Sequence, residues 1–174
     1  SPYTTEKLLS MSVSEIVHSI ENFKESNGWD EPTGEGFADL LKEAVKLDPE
    51  KFKDDLSLFI ETKPSYQNAI LGAFVEIWND KKPIDWEKVL GFCLSVVESK
   101  AFWQQGDELQ KGGAMPTRSW VTSTISKLID TGVRNDDWAF EEAYLPKAKK
   151  IIRRILKKEP STARGESRDA LTEA

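Results

Sequence analysis

His18 is the only histidine and Cys93 the only cysteine in this chain of 174 residues. A triad or dyad built on two histidines is therefore excluded by count, and so is every cysteine-rich zinc site. Carboxylates are plentiful, among them Glu35, Asp39, Glu43, Asp54, Asp55, Glu76, Asp107, Glu108, Asp136, Asp137, Glu141 and Glu142. A general acid and base need two such groups converging on one substrate, whereas acids on exposed helix faces ordinarily serve solvation and i, i+4 pairing. Gly112-Gly113-Ala114-Met115-Pro116-Thr117-Arg118 has the glycines of a phosphate loop but neither its Gly-Lys-Ser/Thr ending nor a preceding strand. No metal and no cofactor are expected. An acid-base enzyme, working in a cleft beside the loop Ser99 to Thr117, is the weakest functional reading.

Two other signals concern contact rather than catalysis. Lys147, Lys149, Lys150, Arg153, Arg154, Lys157 and Lys158 are seven cations with no acid among them, in a chain of net charge −6 and pI near 5.0. A solvated helix face with favourable cations near its C-terminus accounts for them without function. The functional alternative is a phosphate-backbone contact through Lys147, Lys150, Arg153, Arg154 and Lys157, or a contact with an acidic protein. The run carries no aromatic on which a base could stack, and the acidic whole argues against a surface built to neutralise phosphate. The second signal is tryptophan: of six, Trp78, Trp86 and Trp120 fall on helical stripes and are expected in the core. Trp103, beside Phe102 at the opening of the long loop, is either core or an anchor for a partner.

These residues must be positioned by helices, since no stretch alternates with a period of two. Ser12-Val13-Ser14-Glu15 is a capping box opening a helix with Val13, Ile16, Val17 and Ile20 inward, after a short helical turn around Lys7 to Leu9. Asn27-Gly28 ends it, and Trp29 to Gly36 reads as a loop. The second helix covers about 35 to 47. Asp48-Pro49 starts a third, expected to run unbroken to about Glu61 with Phe52, Leu56, Phe59 and Ile60 inward. Pro64 to Asn79 and Asp85 to Glu98 form the fourth and fifth. Leu71 and Val75 in the fourth, and Phe92 and Val96 in the fifth, stand off the main apolar stripe, so both helices require cover on more than one side. A sixth helix is expected from about Thr117 to a stop at Thr131-Gly132, a short one from Asp136 or Asp137 through Ala143, and a seventh from Pro146 until Pro160 stops it.

The expectation is an all-α fold of about seven helices in antiparallel pairs, either a HEAT-like α-solenoid or an irregular helical bundle. Residues 1–160 read as one helical domain, and 161–174 as a polar tail or the start of a further helix in a fragment of a longer chain. At 39% hydrophobic and 31% charged, the length suits a domain with a real core. The lone cysteine excludes an internal disulfide, and no basic leader or membrane-length apolar run is present. The sequence thus reads as soluble and cytoplasmic, with no membrane partner.

The run GEGFADLLKEAVKLDPEKFKDDLSLF, followed by YQNAILGAFVEIWNDKKPIDWEKVLGFCLSVVE, resembles the helical-repeat regions near the C-termini of very large, uncharacterised bacterial proteins, some of which carry STAND-type NTPase modules. The likeness covers about half the chain and rests on the hydrophobic pattern with the Leu-Asp-Pro-Glu and Ile-Asp-Trp-Glu turns. It implies a HEAT-like region acting as a scaffold or as a defence-related sensor. It assigns no functional residue, because the NTPase motifs are not in this sequence. The expected function is a non-catalytic protein-interaction or scaffold segment of a larger bacterial protein, whose partner is another part of the parent chain or another protein, touched at Phe102 and Trp103. Nucleic-acid contact through the basic face is the alternative.

Overall fold

Seven of the described helices begin at a side-chain cap or at a proline in the first turn. The computed structural model describes residues 3–23, 34–105 and 117–159; the expected stop at Asn27-Gly28, most of the Trp29 loop, the glycines at 112 and 113 and the tail 161–174 lie outside them. Among the described residues there are nine α-helices, two 3₁₀ turns and no strand. Thr4 caps α1 (Thr5–Ser10), and Ser12 caps α2 (Val13–Glu21) in a full capping box with Glu15. Gly34–Leu47 is α3. Asp48 caps α4 (Pro49–Phe52), with Pro49 at its first position. Pro64 opens α5 (Pro64–Asn79), and Asp85 caps α6 (Trp86–Glu98). Ser99 closes α6 and caps α7 (Lys100–Gln104). After α8 (Arg118–Arg134), Pro146 lies in the first turn of α9 (Leu145–Lys158).

Several elements differ from expectation. The third helix is not continuous: α4 ends at Phe52, and a separate 3₁₀ turn, Leu56–Phe59, follows. Asp54 and Asp55 separate the two, and aspartate is a poor helix-interior residue because its carboxylate competes for the backbone. Phe52, Leu56 and Phe59 are nevertheless all buried, so the break leaves the core face intact. The buried Gln67 of α5 fastens the turn, its amide donating to the carbonyls of Phe59 at 3.2 Å and Ile60 at 2.8 Å. Gly132 does not stop α8, which runs on to Arg134. Residues 136–141 form a turn and extended chain, followed by a 3₁₀ turn at Glu142–Tyr144 rather than a helix. The start of the expected Ser99 loop is helical, as α7.

Helices apolar on more than one side are covered on more than one side. Leu71 and Val75 of α5 are buried along with its main stripe, as are Phe92 and Val96 of α6. The most extensive helix–helix contacts, however, are not between chain neighbours. α5 lies between α3 and α8, and α1 extends this row on the far side of α3. A second row runs from α2 through the Leu56–Phe59 turn to α6 and then α9. Between the inner helices of the first row, Thr124 of α8 donates to Asn68 Oδ1 of α5 at 2.6 Å, and Lys42 of α3 pairs with Glu76 of α5 at 3.0 Å.

An aromatic cluster pins the irregular chain after α8. Trp138 stacks on Trp78 with ring centroids 4.4 Å apart and donates its indole N–H to the Trp78 carbonyl at 2.8 Å. Trp78 meets Trp86 edge-on, and Trp86 meets Phe140 edge-on. Gly132 faces this pair. A Cβ there would stand 2.8 Å from both the Phe140 and Trp86 rings, so the glycine serves close packing inside a helix. Trp78 and Trp86 are core as expected, but Trp120 is not: at 48% exposure it lies on the surface.

Candidate functional site

The basic helix α9 is amphipathic, with Ala148, Ile151, Ile152 and Ile155 buried and packed toward α6. Burial of that stripe forces the cations outward. Lys150, Arg153 and Lys157 are exposed, while Lys147 and Arg154 are half-buried. The sequence-predicted cations thus share one element, but they do not act as one free patch. Lys150 reaches Glu98 of α6 at 3.7 Å, and Arg154 donates to the Val97 carbonyl at 3.3 Å. Both contacts follow the seam between α6 and α9.

Lys147 is placed differently, at the edge of a depression of about 330 Å³ between the Leu56–Phe59 turn and the outward face of α6. Its walls carry three lysines, Lys53, Lys88 and Lys147, and two acids, Asp54 and Glu87. Lys88 pairs with Asp54 at 3.5 Å, and Lys53 with Glu50 at 2.8 Å and Asp85 at 3.8 Å. Hydrogen bonding to Glu50 is the main cause that pushes the Lys53 pKa up, so this amine stays charged. The floor includes Gly91, where an added Cβ would meet nothing within 4 Å.

Phe102 and Trp103 separate in role. Phe102 is 2% exposed and belongs to the core, so it offers no surface to a partner, contrary to the expectation from sequence. Its position in α7 turns the ring inward, where it meets Trp103 edge-on. Trp103 is half-buried, with its indole N–H donated to the Val97 carbonyl at 2.6 Å and the Arg118 guanidinium 5.4 Å from its ring centroid. Arg118 also donates to the carbonyls of Trp103 and Gln105, both at 2.8 Å, and to Glu159 at 3.1 Å. The second oxygen of Glu159 accepts from Thr122 at 2.9 Å. This part-buried clasp joins α7, the start of α8 and the end of α9. Sequence reasoning missed it because Arg118 and Glu159 lie 41 residues apart and no local pattern pairs them.

The remaining chemical candidates are quiet. Burial pushes the Cys93 thiol up to about 12, which leaves little thiolate for nucleophilic work. His18 is exposed on α2. No group of three or more His, Cys, Asp or Glu placed to hold a metal occurs among the described residues. None of their helices is long and apolar enough to cross a membrane. No family model matches this chain, and no curated protein or solved structure does so either.

Proposed function

We propose that this chain is a HEAT-like helical array, part of a larger bacterial protein, whose work is to hold a protein partner rather than to turn over a substrate. The observation that carries this reading is the alternation of elements between two rows. Helices α3, α5 and α8 pack side by side, as do the Leu56–Phe59 turn, α6 and α9. Such an arrangement makes each element bury its apolar face on the next repeat and leaves extended outer surfaces for contact. Among the described residues the exposed large apolar side chains are Leu47, Leu58 and Trp120, one on each of three elements. Contact chemistry therefore lies in charge and groove shape more than in one broad apolar patch. The resemblance to repeat regions of large bacterial proteins supports the same setting, including a sensor role in defence.

The test is crosslinking at physiological salt from a photoreactive side chain placed at Lys127 on α8 or at Lys150 on α9, both exposed. A discrete protein adduct from either position supports the reading, and its absence from both removes it. The seven cations of α9 favour a second reading, contact with a phosphate backbone. It predicts salt-sensitive retention of duplex DNA or RNA. Unchanged retention by the Arg153→Glu, Arg154→Glu double variant would eliminate it.

A further inference from the structure

We infer that the outward ridge of α9 is a sequence-independent contact for the backbone of double-stranded nucleic acid, a claim that rests on the phosphate reading above and narrows it to particular cations and one form of polymer. The first observation is how the cations of this helix are divided. Burial of Ala148, Ile151, Ile152 and Ile155 fixes the roll of α9 on the fold. Lys149, Arg153 and Lys157 then follow one another at intervals of four residues on the opposite face. At the rise of an α-helix they stand about 6 Å apart along the axis, on a line about 12 Å long. Lys150 is engaged by Glu98, and Arg154 by the Val97 carbonyl. The side chains of Lys149, Arg153 and Lys157 have neither an ion pair nor a hydrogen bond among the described residues. The acids Glu141 and Glu142 precede the first turn of α9, so they bound the ridge at one end and do not interrupt it.

The second observation is what accompanies the charge. α9 carries no aromatic residue, and none of the exposed large apolar side chains among the described residues lies on it. A single strand is held by rings on which its bases stack, and a protein partner by an apolar or aromatic anchor in a pocket. An interfacial membrane helix needs a free apolar face, and that of α9 is buried inside the fold. Cations alone, held on a rigid line, suit a stiff polymer of uniform charge, and a duplex presents one charge about every 1.7 Å of its axis. Shape agrees with this choice. A cylinder can touch the ridge alone, whereas a flat anionic surface would also meet the exposed carboxylates of Glu98 beside the ridge and Glu142 at its end. Contacts with phosphate carry no sequence information, so the site reads the backbone and not the bases.

The experiment is an anisotropy titration of the whole chain with short labelled duplexes of two unrelated sequences, with a single strand of the same length, and with vesicles of phosphatidylserine and phosphatidylcholine in equal parts. Both duplexes should bind alike, and log affinity should fall with log salt at a slope of about −3 between about 50 and 200 mM. The single strand and the vesicles should bind about tenfold or more weakly at the lowest salt. Lys149→Gln, Arg153→Gln and Lys157→Gln should each reduce the slope by about 1, while Arg154→Gln leaves it unchanged. Glutamine is a good helix former, and Arg153 and Lys157 are exposed, so these two variants decide the case if Lys149→Gln, at a half-buried position, melts early. Binding of the single strand or the vesicles as tight as that of the duplexes overturns the inference, and so does a preference between the two duplex sequences. Nucleic-acid retention that the Arg153→Glu, Arg154→Glu double variant loses, with a slope that Arg153→Gln and Lys157→Gln leave untouched, sinks this inference alone. Absence of salt-sensitive binding to any nucleic acid sinks the phosphate reading with it.

Discussion

At Ser12 a single hydroxyl decides where the chain becomes helical. It accepts from the Glu15 backbone N–H at 3.1 Å while Glu15 returns its carboxylate to the Ser12 N–H at 3.2 Å. Ser12→Ala should lower unfolding stability by about 1 kcal/mol in a denaturant titration. The same contact gives a pH dependence. The Ser12 backbone hydrogen bond, then the Ser12 hydroxyl, holds the Glu15 pKa below its ordinary value of 4.5. The stabilisation is therefore complete above pH 4.5 and is lost as pH falls through the lower, folded-state pKa. Melting curves of Glu15→Gln should lack that acid-side decline, and a decline of unchanged size would place its cause elsewhere. Cys93 gives a second prediction at this scale. Buried completely, with its thiol pushed up to about 12, it should resist alkylation at pH 8 in the native protein and react fully in denaturant. Rapid native labelling would show that the α6 core opens.

At the scale of the helix, two glycines have opposite consequences for packing. Gly91 sits mid-helix with open space where its side chain would be, and Gly132 sits in the last turn of α8 against Trp86 and Phe140. Gly91→Ala should raise stability by up to about 1 kcal/mol through helix propensity. Gly132→Ala should lower it by about 1 to 3 kcal/mol, because two rigid rings must shift. Thermal denaturation of the pair separates these effects, and a stable Gly132→Ala would contradict the packing described here. The expected stop at Gly132 failed for the same reason: its local signal is that of a helix end, and the rings that call for glycine are 46 residues upstream and 8 downstream in the sequence. The break at Asp54-Asp55 is the reverse case. Phe52, Leu56 and Phe59 keep helical spacing across it, so periodicity alone hides the change from an α-helix to a 3₁₀ turn.

Across the whole molecule, the ends of three helices are held by the Arg118–Glu159 clasp. Glu159 is only 8% exposed, and Arg118 satisfies backbone carbonyls on α7 as well. Arg118 is part-buried and also bonded to two carbonyls, so Arg118→Ala or Glu159→Ala should each cost about 1 to 3 kcal/mol through the hydrogen bonds lost. The double variant should cost clearly less than the sum of the two, and simple additivity would show that the ion pair is not coupled. The sequence by itself determined that the chain is helical, where α2, α5, α6 and α9 begin, and which positions of α5 and α6 demand cover beyond one stripe. Caps, prolines at first positions and 3.6-residue periodicity are local, and they are written within a few turns of the residues they govern. Only the tertiary structure decided that α5 packs on α3 and α8, that Phe102 is core and Trp120 is surface, that Gly91 floors a groove, and that Arg118 meets Glu159. Those outcomes depend on which apolar faces meet and which charges are stranded together, and such pairings are properties of the folded array that no single window of sequence contains.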